Sequence, residues 1–205
     1  MIRGVPYDAE IEYLESTGEQ WIDTGIKINY NNPWDIKTKA ISKTLSTRSC
    51  IASSFRTHGE ENVSTWLEFT VENKIRFGYG LNIYSPVSYI DPTNISFSYF
   101  NGKVSILVNG TDVSSAFGIS RLSDKNNLLL FNDVRTNVFS GTKIYFLKYC
   151  SGDTLVRDFI PVRVGDNGYM YDRVTRKLFG NKGTGSFLLG PDVARPVMGL
   201  HLYPH

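Results

Sequence analysis

Thr93-Asn94-Ile95-Ser96-Phe97-Ser98-Tyr99-Phe100-Asn101-Gly102-Lys103-Val104-Ser105-Ile106-Leu107-Val108-Asn109-Gly110-Thr111-Asp112-Val113 decides the fold class of this 205-residue chain. Apolar side chains recur at every second position, the period of a strand with one buried face. The two Asn-Gly pairs supply the positive-φ residues that type I′ hairpin turns require. With those turns Tyr99 meets Val104, Phe97 meets Ile106, Ile95 meets Val108, and Ile106 also meets Val113. The stretch is therefore a three-stranded meander with one apolar face.

The stretch before it has the same character. From Thr65 to Gly80, Leu67, Phe69 and Val71 share one face, and Ile75, Phe77 and Tyr79 share the matching face of the return strand. A three-residue loop over Glu72, Asn73 and Lys74 sets Val71 against Ile75, Phe69 against Phe77 and Leu67 against Tyr79, whereas a two-residue loop would set Thr70 against Ile75. Further strands are expected at Ile11 to Ser16, Gln20 to Ile26, Trp34 to Ile41, Cys50 to Phe55, Leu128 to Phe131, Lys143 to Cys150 and Thr154 to Val164. Pro33, Pro86 and Pro92 fall at the margins of these runs, where a missing amide donor is tolerated. So many short alternating strands, with no helical stripe, need sheet stacking or closure to bury their apolar faces.

Composition agrees with one globular domain. The chain is 41% apolar and 13% aromatic, 20% charged, and its formal net charge is +2. Lysines and arginines are scattered, so neither nucleic acid nor membrane insertion is expected. Met1 to Glu10 lacks the apolar stretch of a signal peptide, and no run of apolar residues is long enough to span a bilayer. Cys50 and Cys150 each lie in an apolar run and read as buried thiols, a bridge between them remaining open. The expected division is an N-terminal extension over residues 1–10, a sandwich over 11–191, and an extended arm over 192–205 containing Pro196 and Pro204.

Two segments carry a resemblance. Ile11-Glu12-Tyr13-Leu14-Glu15-Ser16-Thr17-Gly18-Glu19-Gln20-Trp21-Ile22-Asp23-Thr24-Gly25 resembles the N-terminal signature of a laminin-G-like, concanavalin A-like jelly-roll family of phage and prophage virion proteins and gut-bacterial surface proteins. The run Lys143 to Tyr149, then Leu155 to Arg163, Gly168 to Asp172, Leu178 to Asn181 and Gly183-Thr184-Gly185, is similar to that family's C-terminal portion. The resemblance implies an all-β, two-sheet antiparallel jelly-roll sandwich whose first and last strands pair. It also implies a role in adhesion or virion architecture: a fibre or head decoration, made in the host cytoplasm and carried in the virion. Its partners would be other virion subunits, or copies of itself held through the terminal tails, and cell-surface glycan.

Catalysis is not expected. Glycoside hydrolysis needs two carboxyl groups facing each other across a sugar. The laminarinase-type pattern Glu-x-Asp-x-x-Glu is missing; Asp8, Glu10 and Glu12 lie at the entry to the domain, and Glu68 and Glu72 would stand about 13 Å apart on one strand. His58, His201 and His205 accompany no nucleophile motif. Calcium would need oxygen donors such as Asp124, Asn126, Asn127, Asn132, Asp133 and Asp166, each equally a turn residue. For sugar recognition, aromatic rings with forked polar groups are sought. Trp66, Glu68 and Arg76 meet that description on the polar face of the 65–80 hairpin, where Trp66 would lie across from Gly80. The alternative is that Trp66 covers a strand glycine while Glu68 pairs diagonally with Arg76. Tyr84 and Tyr89, flanking Pro86, are loop aromatics open to the same two readings.

Overall fold

A computed structural model describes residues 4–42, 48–54, 65–79, 81–114, 126–132 and 141–194, with backbone alone at 79, 81–84, 86 and 87. In chain order the strands are β1 (Ala9–Glu10), β2 (Leu14–Glu15), β3 (Ile22–Asp23), β4 (Trp34–Ser42), β5 (Ser49–Ser54), β6 (Thr65–Phe69), β7 (Lys74–Tyr79), β8 (Leu81–Ser88) and β9 (Thr93–Phe100). They continue with β10 (Lys103–Val108), β11 (Thr111–Asp112), β12 (Leu129–Leu130), β13 (Thr142–Ser151), β14 (Thr154–Val164), β15 (Asn167–Asp172), β16 (Lys177–Phe179) and β17 (Leu188–Leu189). They form two antiparallel sheets. The long one runs β11-β10-β9-β4-β13-β14-β15-β16, with β1 on β14 and β2 bridging β13 to β17; the short one runs β3-β12-β5-β6-β7-β8.

The Asn-Gly meander has the expected register: Val104 faces Tyr99, Ile106 faces Phe97 and Val108 faces Ile95. Asn101, Gly102, Asn109 and Gly110 all have positive φ, between 47° and 82°, as two type I′ turns demand. Val113 donates its amide to the Ile106 carbonyl at 2.9 Å, which places the third strand as read from the sequence. The inner faces interlock across the sandwich: the Phe77 and Phe97 ring centroids lie 3.8 Å apart, and Trp34 packs edge-on against Phe97 at 4.6 Å. Phe69, Phe97, Phe159, Leu14 and Ile144 are completely buried. Each such side chain contributes about 1.5–3 kcal/mol of apolar burial.

One hairpin differs in register. The three-residue loop between β6 and β7 covers Val71, Glu72 and Asn73, so Phe69 faces Ile75, Leu67 faces Phe77 and Trp66 faces Gly78, not Gly80. Asn73 is the reason. It sits at φ 54°, in the left-handed region that asparagine tolerates and lysine disfavours. Thr70 closes the loop, accepting the Asn73 amide at its carbonyl (2.9 Å) and the Lys74 amide at its hydroxyl (3.2 Å). Because the partner moves by two residues, Leu67, Phe69, Ile75 and Phe77 keep their expected inward face while their neighbours change, but Val71, expected inward opposite Ile75, falls in the loop and is 48% exposed.

The ends of the chain are less separate than the sequence reading had them. Tyr7 is buried against Tyr171 with ring centroids 5.0 Å apart, and β1 pairs with β14. The segment before Ile11 thus covers the outer apolar patch formed by Val162 and Tyr171. At the other end Ile11 bridges to Asp192, and Arg163 grips the Asp192 carboxylate with two hydrogen bonds of 2.7 Å. β17 pairs with β2, so the strand expected over Ile11 to Ser16 neighbours the last strand, while β1 lies on β14. Residues 195–205 of the expected arm, with His201 and His205, lie outside the described residues. Cys50 and Cys150 are not joined by a disulfide and lie on opposite sheets.

Candidate functional site

Strand alternation and the β6–β7 register place Trp66, Glu68 and Arg76 together on the outer face of the short sheet. Glu68 stands directly opposite Arg76, not diagonal to it, and Arg76 Nη2 lies 2.6 Å from Glu68 Oε1. Trp66 lies over Gly78 so closely that a methyl group there would fall 1.8 Å from its Cε2, and the Arg76 guanidinium sits 5.9 Å from the indole centroid. This polar face is nevertheless buried: Trp66, Glu68 and Arg76 are 8%, 1% and 5% exposed.

The same face continues onto β5. Cys50 faces Glu68, and Ser53 faces Trp66. Asn132 ties these together, its carbonyl accepting hydrogen bonds from the Cys50 thiol (3.0 Å) and the Ser53 hydroxyl. Beside this buried cluster a cleft of about 450 Å³ opens at the loop end of the β6–β7 hairpin, lined by Arg48, Thr70, Glu72, Lys74, Arg76 and Ser85. Arg76 forms the link between the buried cluster and the open cleft. At the rim Lys74 pairs with Glu72 at 2.7 Å, and hydrogen bonding to Lys74 holds the Glu72 carboxyl below its ordinary value.

Of the residues singled out from sequence, Trp66, Glu68 and Arg76 are thus brought together, and the Tyr84 backbone is registered opposite Arg76 on β8. Tyr89 is not among them. Its amide donates to the Asn73 carbonyl and its ring packs on the core, where burial raises the phenol above its usual value. Arg48, Thr70, Lys74 and Ser85 escaped the sequence reading. Arg48 reaches the cleft through the β5–β6 pairing, whose register shifts between Cys50 and Ala52 and could not be counted along the chain.

Among the described residues the calcium candidates do not converge. Asn127 donates its amide to both Asp23 carboxylate oxygens, at 2.9 and 3.1 Å, Asp166 is exposed in the β14–β15 turn, and Asn132 belongs to the short-sheet face. Asp124 and Asp133, and also His58, lie outside the described residues. Among the described residues no three His, Cys, Asp or Glu side chains gather as a metal site would require.

No protein-family model matches the sequence, and no curated protein matches it. Solved structures do resemble the fold. A candidate carbohydrate-binding protein from Bacteroides ovatus aligns with TM-score 0.60 at 13% identity, over 90% of this chain and 61% of that one. The chain therefore spans about three-fifths of that protein's length. The Ruminococcus gnavus sialidase module CBM40, bound to sialyllactose, aligns with TM-score 0.51 at 13% identity, over 71% of this chain and 91% of that one. Mouse laminin alpha1 domains LG4-5 align with TM-score 0.50 at 12% identity, over 77% and 47%. The fold is a concanavalin A-like, laminin-G-like jelly roll. At these identities the likeness concerns architecture, and any ligand has to be argued from the side chains of this chain.

Proposed function

We propose that this chain is a non-enzymatic jelly-roll module that recognises cell-surface glycan and serves as a fibre or head-decoration part of a phage or prophage particle. The observation that carries the glycan reading is the cleft at the β6–β7 loop, where Arg48, Thr70, Lys74 and Arg76 present forked and single donors beside a buried indole. A volume of about 450 Å³ accepts a sugar unit, and ligand sites combine a few placed polar groups with an apolar wall, which the half-exposed Val71 supplies here. Carbohydrate recognition in the Bacteroides and Ruminococcus proteins, which share the fold, supports it. Against cleavage, each carboxylate of the site is engaged by its own cation, Glu68 by Arg76 and Glu72 by Lys74. Neither faces the other across an open space, as paired catalytic acids must.

The virion setting is supported by the resemblance of the N- and C-terminal signatures. In this setting the chain is made in the host cytoplasm and leaves with the particle, and the segment 195–205 contacts neighbouring subunits or other copies of the chain.

A glycan panel tests the binding reading. Retention of intact glycan, weakened about tenfold or more by Arg48→Ala with Lys74→Ala while the circular dichroism is unchanged, is the expected result. Release of new reducing ends would make the chain an enzyme, and retention indifferent to both substitutions would remove the site. Deletion of residues 195–205 should weaken assembly and leave the fold intact.

A further inference from the structure

The outer face of the long sheet, on the other side of the sandwich, carries a feature that the linear sequence hides. Strands β4 and β13 lie about a hundred residues apart in the chain but side by side in the sheet, and their register sets Lys37 directly opposite Lys148. Alternation along β4 puts Lys39 on the same face, and the bulge of β13 between Ile144 and Phe146 brings Lys143 onto it. Lys143 Nζ lies 3.9 Å from the Tyr13 ring centroid and Lys39 Nζ 5.1 Å from that of Tyr145, the two rings being 5.5 Å apart. Asn94, Ser96 and Ser98 of β9 extend the face, opposite Lys39, Lys37 and Asp35.

Like charges directly opposite on neighbouring strands destabilise a sheet, and here Asp35, paired with Lys37, and Asp158, opposite Lys148 on β14, offset part of that cost. The carboxylates nearby lie lower than the ammonium groups. Glu15, 3.8 Å from Lys143, and Asp158, held by Arg173 at 2.8 Å, have side chains only 6% and 11% exposed. Asp35, 3.2 Å from Lys37, is 23% exposed against 60% for that lysine. Glu12 stands at the rim, close enough to Tyr145 to add to the rise that burial gives its phenol. The centre of this face, at Lys37 and Lys148, is therefore cationic, while Lys143 is only 16% exposed and Glu12 is an exposed carboxylate at the rim.

We infer that this face is a second glycan site, which docks an acidic polysaccharide laid across β9, β4 and β13. Lysines on adjacent strands stand about 4.8 Å apart and same-face residues of one strand about 6.8 Å apart, a grid on which the acid groups of successive sugars meet successive ammonium groups. The tyrosine rings hold Lys39 and Lys143 in place, and the serine and asparagine rows face the sugar hydroxyls. A nucleic acid is the weaker fit, because each ring is already engaged by a lysine and by the other ring, where a base would have to stack.

The test uses the full chain with immobilised polygalacturonate, dextran sulfate, neutral dextran and single-stranded oligothymidylate. Binding to one or both acidic polysaccharides at low salt is expected, falling about tenfold or more by 500 mM NaCl as screening shortens the reach of the lysines, with none to neutral dextran. The more tightly held of the two identifies the acid as carboxylate or sulfate. Lys37→Gln with Lys148→Gln should weaken that binding about tenfold without lowering the melting temperature, and Arg48→Ala with Lys74→Ala should leave it untouched. Failure of the cleft therefore registers separately from failure of this face. No binding to either acidic polymer, binding indifferent to the lysine substitutions, or tighter binding to the oligonucleotide would overturn the inference.

Discussion

Gly78→Ala probes the packing on which the candidate site rests. The new Cβ would fall 1.8, 1.9 and 2.3 Å from Trp66 Cε2, Cζ2 and Nε1, well inside contact distance, so the indole must retreat by roughly 1.5–2 Å. Trp66 is only 8% exposed and covers the strand at this point. Overpacking of this kind costs about 1–3 kcal/mol, while replacing a strand glycine by alanine returns about 0.5–1 kcal/mol of backbone entropy. The net loss is about 1–2 kcal/mol, which lowers the melting temperature by roughly 2–8 °C for a chain of this size. Thermal melts followed by tryptophan fluorescence and circular dichroism measure it. The companion variant Trp66→Ala removes the obstacle, so in that background Gly78→Ala should be neutral or stabilising, a coupling of about 2 kcal/mol. Equal cost in both backgrounds, or no cost in either, would refute the packing of Trp66 on Gly78.

Other substitutions examine the frame around the site. Asp172 is fully buried and accepts hydrogen bonds from the amides of Asp158, Val174 and Thr175 and the Thr175 hydroxyl, with Arg157 at 3.6 Å. Asp172→Asn should cost about 2–4 kcal/mol in urea unfolding, because an amide nitrogen replaces one acceptor oxygen and leaves Arg157 uncompensated. Asn73→Ala should cost about 1 kcal/mol at its positive φ while Asn73→Gly is near neutral; equal losses would contradict the loop geometry. Hydrogen bonding to Arg163 lowers the Asp192 carboxyl below its ordinary value. A lowered carboxyl stabilises the folded state above its unfolded pKa and loses that contribution as pH falls through the folded one. The Ile11–Asp192 bridge should therefore loosen under acid, below the ordinary carboxylate range. The protection factor of the Val193 amide, whose N–H donates to the Glu10 carbonyl, should fall there and be constant near neutrality.

The sequence by itself determined what depends on neighbours along the chain. Period-two alternation fixed which side chains go inward, and the pairs Asn101-Gly102 and Asn109-Gly110 fixed the meander register, since a two-residue I′ turn allows one pairing. Strand β14 could be read to the residue, Thr154 to Val164. Where a loop can slide by one residue, the reading lost the partner and kept the face: the preference of Asn73 for positive φ moved the β6–β7 loop and brought Trp66 onto Gly78. Only the tertiary structure decided the rest. The arrival of Arg48 beside the Glu68–Arg76 pair and the meeting of Lys37 with Lys148 depend on pairings between strands that no tight turn joins. Such pairings are set by the fit of whole sheets and by bulges in β5 and β13, and local propensity carries no record of them.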